Sequence, residues 1–475
     1  MAEFFTPTGV EGLDLVLGGG FPRGSIIILA GNPGTGKTIF SAQFLYHGAV
    51  NYGENGVYVS LAEDRETFIR NMKNVGFDFE RLEREGKISL LDFLITKEES
   101  FPAIVNAIAR EVSKLSATRL VVDSYSALAQ SFERMFDARI FLNVVLGKIA
   151  RMSGCTTLII VEVPFGQERL GLGVEEFVAD GILHFRSRRI ADRLHRDIII
   201  RKMRGIPIKQ DLIGFTLHGG FKAFPPFRIK PTVWRERFKP MPNPPGRFTT
   251  CSEDFDNLLN GGWPKTSTAL LEIGKNISIP EYHLLINSTF WNFLANEAGV
   301  IVVPSSGVDY KLVYNRAAES GLPKEILEKC LRICTFLPLA AEKKWLIKFS
   351  GEDLKEDFSR YVEMAADLNK QTGKPVLHII GVDMLIAHYG LKEAIKIVNL
   401  GATMVRENGD LELLILKPGY PVASDILNAV VDVHLKLVRE HGALILYGLK
   451  PRTELNVVEV DVSSGYLLPK FTPVH

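Results

Sequence analysis

Residues 25–40 read SIIILAGNPGTGKTIF, and within them Gly31 to Thr38 match the pattern G-x-x-x-x-G-K-[ST] in full. A run of β-branched residues leads into the glycine-rich stretch, and a helix-compatible run leaves it. That order is the one phosphate chemistry needs. Glycines 31, 34 and 36 let backbone N–H groups wrap phosphate oxygens, and the start of the next helix adds its positive dipole end. Asn32, Pro33 and Thr35 complete the loop, Lys37 is expected to reach the β and γ phosphates, and Thr38 to offer its hydroxyl to Mg²⁺. The stretch therefore predicts a site for ATP with Mg²⁺.

Working outward, SIIILAG, GVYVSL, RLVVDS, TTLIIVE and RDIIIRK are continuous apolar runs, which reads as strands buried on both faces. TIFSAQFLYHGAV and ARIFLNVVLGKIARM read as the helices between them. The alternation implies an α/β fold with a mostly parallel sheet flanked by helices. A triphosphate site also needs a second Mg²⁺ anchor and a group that orients water. Asp123, at the end of RLVVDS, fits the first role, because strand ends in such sheets face the ligand crevice. For the second role VYVSLAED offers Glu63, with Asp64 and Glu66 as neighbours that could be mistaken for it.

The unit is written twice. FTPTGVEGLDLVLGGGFPRGSIIILAG, from Phe5, is echoed by FTTCSEDFDNLLNGGWPKTSTALLEIG, from Phe248, and GFDFERLEREGKI, from Gly76, by GLPKEILEKCLRI, from Gly321. Between the copies, AFPPFRIKPTVWRERFKPMPNPPGRF is crowded with proline and has no apolar periodicity, as expected of a connector. The domain boundary is placed near residue 240, giving domains 1–240 and 241–475.

Composition agrees with a soluble, folded chain. Of 475 residues, 46% are hydrophobic and 23% charged, and the net charge of +1 supplies no global field for nucleic acid. Four cysteines, at 155, 251, 330 and 334, make no disulfide framework. Cys330 and Cys334 could share one helix face, but no further metal-ligand pair accompanies them, so they read as buried small hydrophobes. MAEFFTPTG lacks the pattern of a secretory signal, and no apolar run approaches the roughly 20 residues of a membrane span. A cytoplasmic location is the expectation.

TGVEGLDLVLGGGFPRGS, GNPGTGKT, VYVSLAED, LVVDS, GVEEFVADGILHF and IIIRKMRGIP together resemble the RecA-like ATPases, and among them the KaiC-like family. The resemblance implies two RecA-like P-loop domains in tandem, ATP hydrolysis, and ring hexamers with ATP at the subunit interfaces. It also implies that a Lys-x-Arg pair, here Lys202 and Arg204, reaches into the neighbour's site. One position departs from the family's pair of adjacent glutamates: Ala62 takes the first place, while Glu63 keeps the second and remains a viable base.

The second copy keeps the frame and loses the chemistry. Where Lys37 and Thr38 stood, it offers Ile279-Pro280 or Pro280-Glu281, depending on one gap. VVPSS has no carboxylate for Glu63, and Gly381 stands opposite Asp123 with Asp383 displaced by two. Lys450 and Arg452 survive at the place of Lys202 and Arg204. A second domain without nucleotide, kept for packing, is the reading, so autokinase activity known in a clock protein of the family is not carried over. The leading expectation is an ATPase that regulates an unidentified protein partner. A DNA-binding, recombinase-like motor is the alternative, with RSRRIADRLHRD (186–197) as its best basic segment, although that segment reads more readily as a surface loop or interface, and a nucleotide-gated scaffold is a third.

Overall fold

The computed structural model describes residues 4–61, 63–93, 101–126, 153–166, 178–229, 237–337 and 343–474. Ala62, the helix predicted at 138–152 and part of GVEEFVAD lie outside the described residues. The chain divides into two compact units, Met1–Pro226 with Pro473–His475, and Phe227–Thr472.

In the first unit, Ile26–Gly31 lies inside a nine-stranded sheet among the described residues. On one side follow Thr156–Glu162, Arg119–Asp123, Gly56–Ser60 and Ile88–Asp92; on the other, Gly181–Ile190, Arg193–Met203, Leu212–Thr216 and Lys222–Phe224. Pairing is parallel from Gly181–Ile190 through to Ile88–Asp92, and antiparallel for the last three strands. Parallel strands need crossover connections, which cover both faces and explain the continuous apolar runs. Ile27 and Leu29 pack with Phe40 and Phe44 of helix Lys37–Asn51. Their neighbours Ile26, Ile28 and Ala30 face the other way, onto Ile104, Ile108 and Val112, one stripe of helix Phe101–Lys114 at a spacing of four.

The second unit repeats the order with one further edge strand. Leu346–Lys348, Leu331–Thr335, Val300–Val303, Leu377–Gly381, Leu411–Leu416, Ser267–Ile273 and Val433–Glu440 are parallel neighbours, continued by Ala443–Lys450, Leu455–Asp461 and Leu468–Val474. The same carboxylates fasten both copies. Asp14 accepts from the Thr8 amide at 2.8 Å, and Asp256 from the Thr250 amide at 2.7 Å. Asp180 accepts from the Ile26 amide at 3.1 Å, and Asp432 from the Thr268 amide at 3.0 Å. Thr8 and Thr250, Asp14 and Asp256, and Ile26 and Thr268 are each 242 positions apart, so no gap separates the copies up to their first buried strand.

Two expectations change. Cys330 ends helix Lys324–Cys330, whereas Cys334 lies in strand Leu331–Thr335, so the two thiols share no helix face; all four cysteines are buried and free. RSRRIADRLHRD is no surface loop but the tip of the hairpin between Gly181–Ile190 and Arg193–Met203, turned at Ala191 and Asp192 with φ of 45° and 60°. Among the described residues no helix is long and apolar enough to cross a membrane.

Candidate functional site

The loop between Ile26–Gly31 and the helix that starts at Lys37 is shaped by its glycines. Gly34 and Gly36 have φ of 77° and 93°, a region that a side chain disfavours, and a Cβ at Gly31 would lie 2.4 Å from the Phe185 carbonyl oxygen. Asn32 donates from Nδ2 to the Val163 carbonyl at 2.8 Å, and Thr35 donates from Oγ1 to the Asn32 carbonyl at 2.8 Å, tying the loop to the sheet and to itself; Pro33 is exposed between them. The Lys37 ammonium is buried and donates to the carbonyls of Gly31 (2.9 Å) and Asn32 (2.8 Å). Burial lowers its pKa, while the charges of Glu162 and Asp123 act to raise it.

Asp123 joins this loop from the end of its strand. The Thr38 hydroxyl donates to its Oδ2 at 2.8 Å and the Tyr58 hydroxyl at 2.6 Å. Burial raises the Asp123 pKa against these hydrogen bonds and the Lys37 charge, which is the situation of a carboxylate that gains from a cation beside it. That donor set, one hydroxyl and one carboxylate with an ammonium close by, fits Mg²⁺ carried in with phosphates.

Glu63 lies just beyond strand Gly56–Ser60, and its Oε1 accepts from Asn71 Nδ2 at 2.7 Å. Its pKa is raised, first by burial and then by the Asp123 charge. Its neighbours are separated from it by geometry. Asp64 caps helix Arg65–Asn74, accepting from the Thr67 amide at 2.8 Å, a bond worth about 1 kcal/mol, and Glu66 is exposed in the first turn. Glu162 was missed in the sequence. It ends strand Thr156–Glu162 directly across from Gly31, and its charge acts on both Lys37 and Asp123. A single carboxylate at the end of an apolar run is the only signal it gives.

Lys202 and Arg204 lie elsewhere. Lys202 pairs with Ile182, and the Arg204 amide donates to the Asp180 carbonyl, which places both toward the edge where Ile26–Gly31 begins. Arg204 is thus about 16 Å along the strand direction from Gly31, five residues at roughly 3.3 Å each. It is more than half exposed and meets Asp180 at 3.3 Å. In the hairpin, Arg186 and Arg188 each donate from Nε to the buried Asp197 at 2.8 Å, which engages two of the five arginines of the segment considered for DNA.

The counterpart site differs at the positions of Gly36, Lys37, Thr38, Asp123 and Glu162. With the copies 242 apart, Lys37 and Thr38 correspond to Ile279 and Pro280, which removes the gap ambiguity. Ser278 stands for Gly36 with φ of −80°, and its amide donates to Glu281 Oε2 at 2.7 Å. A loop amide that could meet a phosphate thus meets a carboxylate of its own helix, held in turn by Arg439 at 2.5 Å. Gly381 ends its strand as Asp123 does, but a Cβ there would lie 2.4 Å from Ser305 Cα. Lys417 follows Leu416 as Glu162 follows Val161, reversing the charge, and donates to the Ser306 carbonyl, while the buried Asp383 accepts from the Ser306 amide at 2.8 Å. Lys450, the counterpart of Lys202, donates to the Val431 carbonyl at 2.5 Å, and Arg452 is exposed.

This strand, loop and helix with a hydroxyl and a strand-end carboxylate beneath them define a P-loop nucleoside triphosphatase of the RecA-like kind. The family model described as the KaiC ATPase matches residues 6–220, and one described as GvpD basic region 2 matches residues 237–320. UPF0273 protein MJ1359 of Methanocaldococcus jannaschii is 30% identical over 42% of this chain and 86% of its own length. Protein GvpD2 of Halobacterium salinarum is 27% identical over 94% of this chain and 93% of its own. The circadian clock oscillator protein KaiC of Thermostichus vulcanus is 30% identical over 56% of this chain, which covers only 51% of that KaiC. The chain belongs to the KaiC-like family of RecA-like P-loop ATPases. Residues 237–320 hold seven Lys or Arg against eight Asp or Glu, so the segment is not basic in this chain.

Proposed function

We propose that this chain is a cytoplasmic, Mg²⁺-dependent regulatory ATPase, assembled as a hexamer, whose first unit turns over ATP while its second binds no nucleotide. The observation that carries the reading is the contrast between the copies: Thr38 Oγ1 meets Asp123 Oδ2 at 2.8 Å in one, and Glu281 takes the loop amide in the other. In the first unit the amides of the loop from Gly31 to Thr38 bind the phosphates. Lys37, now held by the Gly31 and Asn32 carbonyls and the Thr35 hydroxyl, turns to the β and γ oxygens. Thr38 and Asp123 hold Mg²⁺, which when bound offsets charge developing on the transferred phosphoryl group. Glu63, positioned by Asn71, orients the attacking water and accepts its proton.

Lys202 and Arg204 sit too far along the sheet to serve their own loop, which favours service to a neighbour's. The relatives' names supply the rest: a clock oscillator protein and a GvpD protein make a regulatory role, acting through a protein partner, the reading of choice. Comparing ATP turnover of the wild type with Lys37→Ala and Glu63→Gln tests the assignment. Loss by about two orders of magnitude or more in both is expected, and unchanged turnover in either removes that residue from the site.

A further inference from the structure

In the first unit, Tyr58 and Phe68 stack in the core with ring centroids 4.3 Å apart. Their counterparts are valines. Tyr58 is the third residue of its strand and pairs with Val121, as Val302 is the third of its own and pairs with Ile379. Phe68 follows the capping Asp64 by four, as Val313 follows the capping Asp309. Two aromatic rings are therefore missing from the second unit, and the space is not refilled. A cavity with room of about 50 Å³, open at its mouth, lies there and includes Val302 and Val313 in its lining.

Left as a packing defect, such a space costs stability in proportion to its volume. Here polar groups turn into it instead. His283 replaces Ser41 and Asn287 replaces Leu45 on the helical segments beside it, and Ser305 and Arg316 line it as well. The Ser305 hydroxyl is paired with the Tyr282 hydroxyl at 2.9 Å. Arg316 gives its NH1 to Glu319, but its buried Nε and the Nδ1 of His283 have no hydrogen-bond partner among the described residues. Buried donors and acceptors without partners are costly, and both residues line the cavity. Burial first, and then the cations Arg316 and Lys417, push the His283 pKa down to about 3, so the imidazole is neutral near pH 7.

We infer that this cavity binds a small organic anion, with an apolar body in the space left by the two rings and a carboxylate or phosphate head against Arg316 and His283. Apolar walls with a few convergent polar groups are the usual make-up of a small-molecule site. The second unit would then be a ligand-sensing copy of a nucleotide-binding fold.

The test is calorimetric titration of the full chain, without ATP, with hexanoate, hexyl phosphate and hexanol. At least one anion is expected to bind one site per chain, tenfold or more tighter than hexanol, with the two anions telling a carboxylate from a phosphate preference. Arg316→Gln is expected to weaken that binding tenfold or more. Val302→Tyr combined with Val313→Phe, which restores the first unit's rings, is expected to abolish it while leaving the melting temperature unchanged or higher; Val313→Phe alone serves if the pair does not fold. Lys37→Ala is expected to leave it intact. Equal binding of hexanol, no binding of either anion, full binding in the filled variants, or loss in Lys37→Ala would each overturn the proposal.

Discussion

A carboxylate that accepts a proton from water must be ionised, and Glu63 is held where ionisation is harder than usual. Burial and the Asp123 charge raise its pKa, and the Asn71 amide partly opposes them. Protonated below that raised pKa and ionised above it, Glu63 as the base is expected to make turnover climb with pH along an acid limb shifted upward from that of an ordinary glutamate. Asn71→Ala removes the opposing hydrogen bond and moves the limb to still higher pH. Initial rates from about pH 4 to 8 read both; a limb that does not move in Asn71→Ala, with Glu63 still required, takes Asn71 out of the positioning role. Asp64, a residue away, shows why position alone does not make a base: its lone pair is spent on the Thr67 amide.

At the scale of strands and loops, the second copy puts other packing where the first has its phosphate-site groups. Gly381 is the clearest case, because Ser305 stands where a Cβ would go. Gly381→Ala is therefore expected to cost about 1–3 kcal/mol, seen as a lower urea midpoint, with turnover retained; a neutral effect would mean that the Ser305 turn yields readily. The parallel strands and the first phosphate loop were legible in the sequence because each rests on local signals, a continuous apolar run or a glycine at a fixed spacing. The hairpin at Gly181–Met203 was not. Its outer half is rich in arginine, and the pairing of Arg186 and Arg188 with Asp197 depends on two strands lying side by side. Glu162 escaped for a related reason: only the register across Gly31 reveals it. Register also fixed Lys37 opposite Ile279, which the sequence had left between two alignments.

For the whole molecule, duplication followed by divergence explains one chain that carries a complete phosphate-loop motif and a second copy without it. GvpD2 matches over 94% of the chain, so the second copy is shared with at least one full-length relative. In a ring, Lys202 and Arg204 of one subunit would complete the next subunit's site. Mixing Lys37→Ala chains with Arg204→Ala chains should then restore turnover above the sum of the two alone, because an Arg204→Ala site can border an intact arginine. No recovery would remove Arg204 from the interface role. The most direct measurement is nucleotide stoichiometry: equilibrium binding of a slowly hydrolysed ATP analogue with Mg²⁺ to the full chain, wild type beside Lys37→Ala. One nucleotide per chain at saturation, lost in Lys37→Ala, is the expected result; two per chain, or one that survives in Lys37→Ala, would contradict a single site in the first unit.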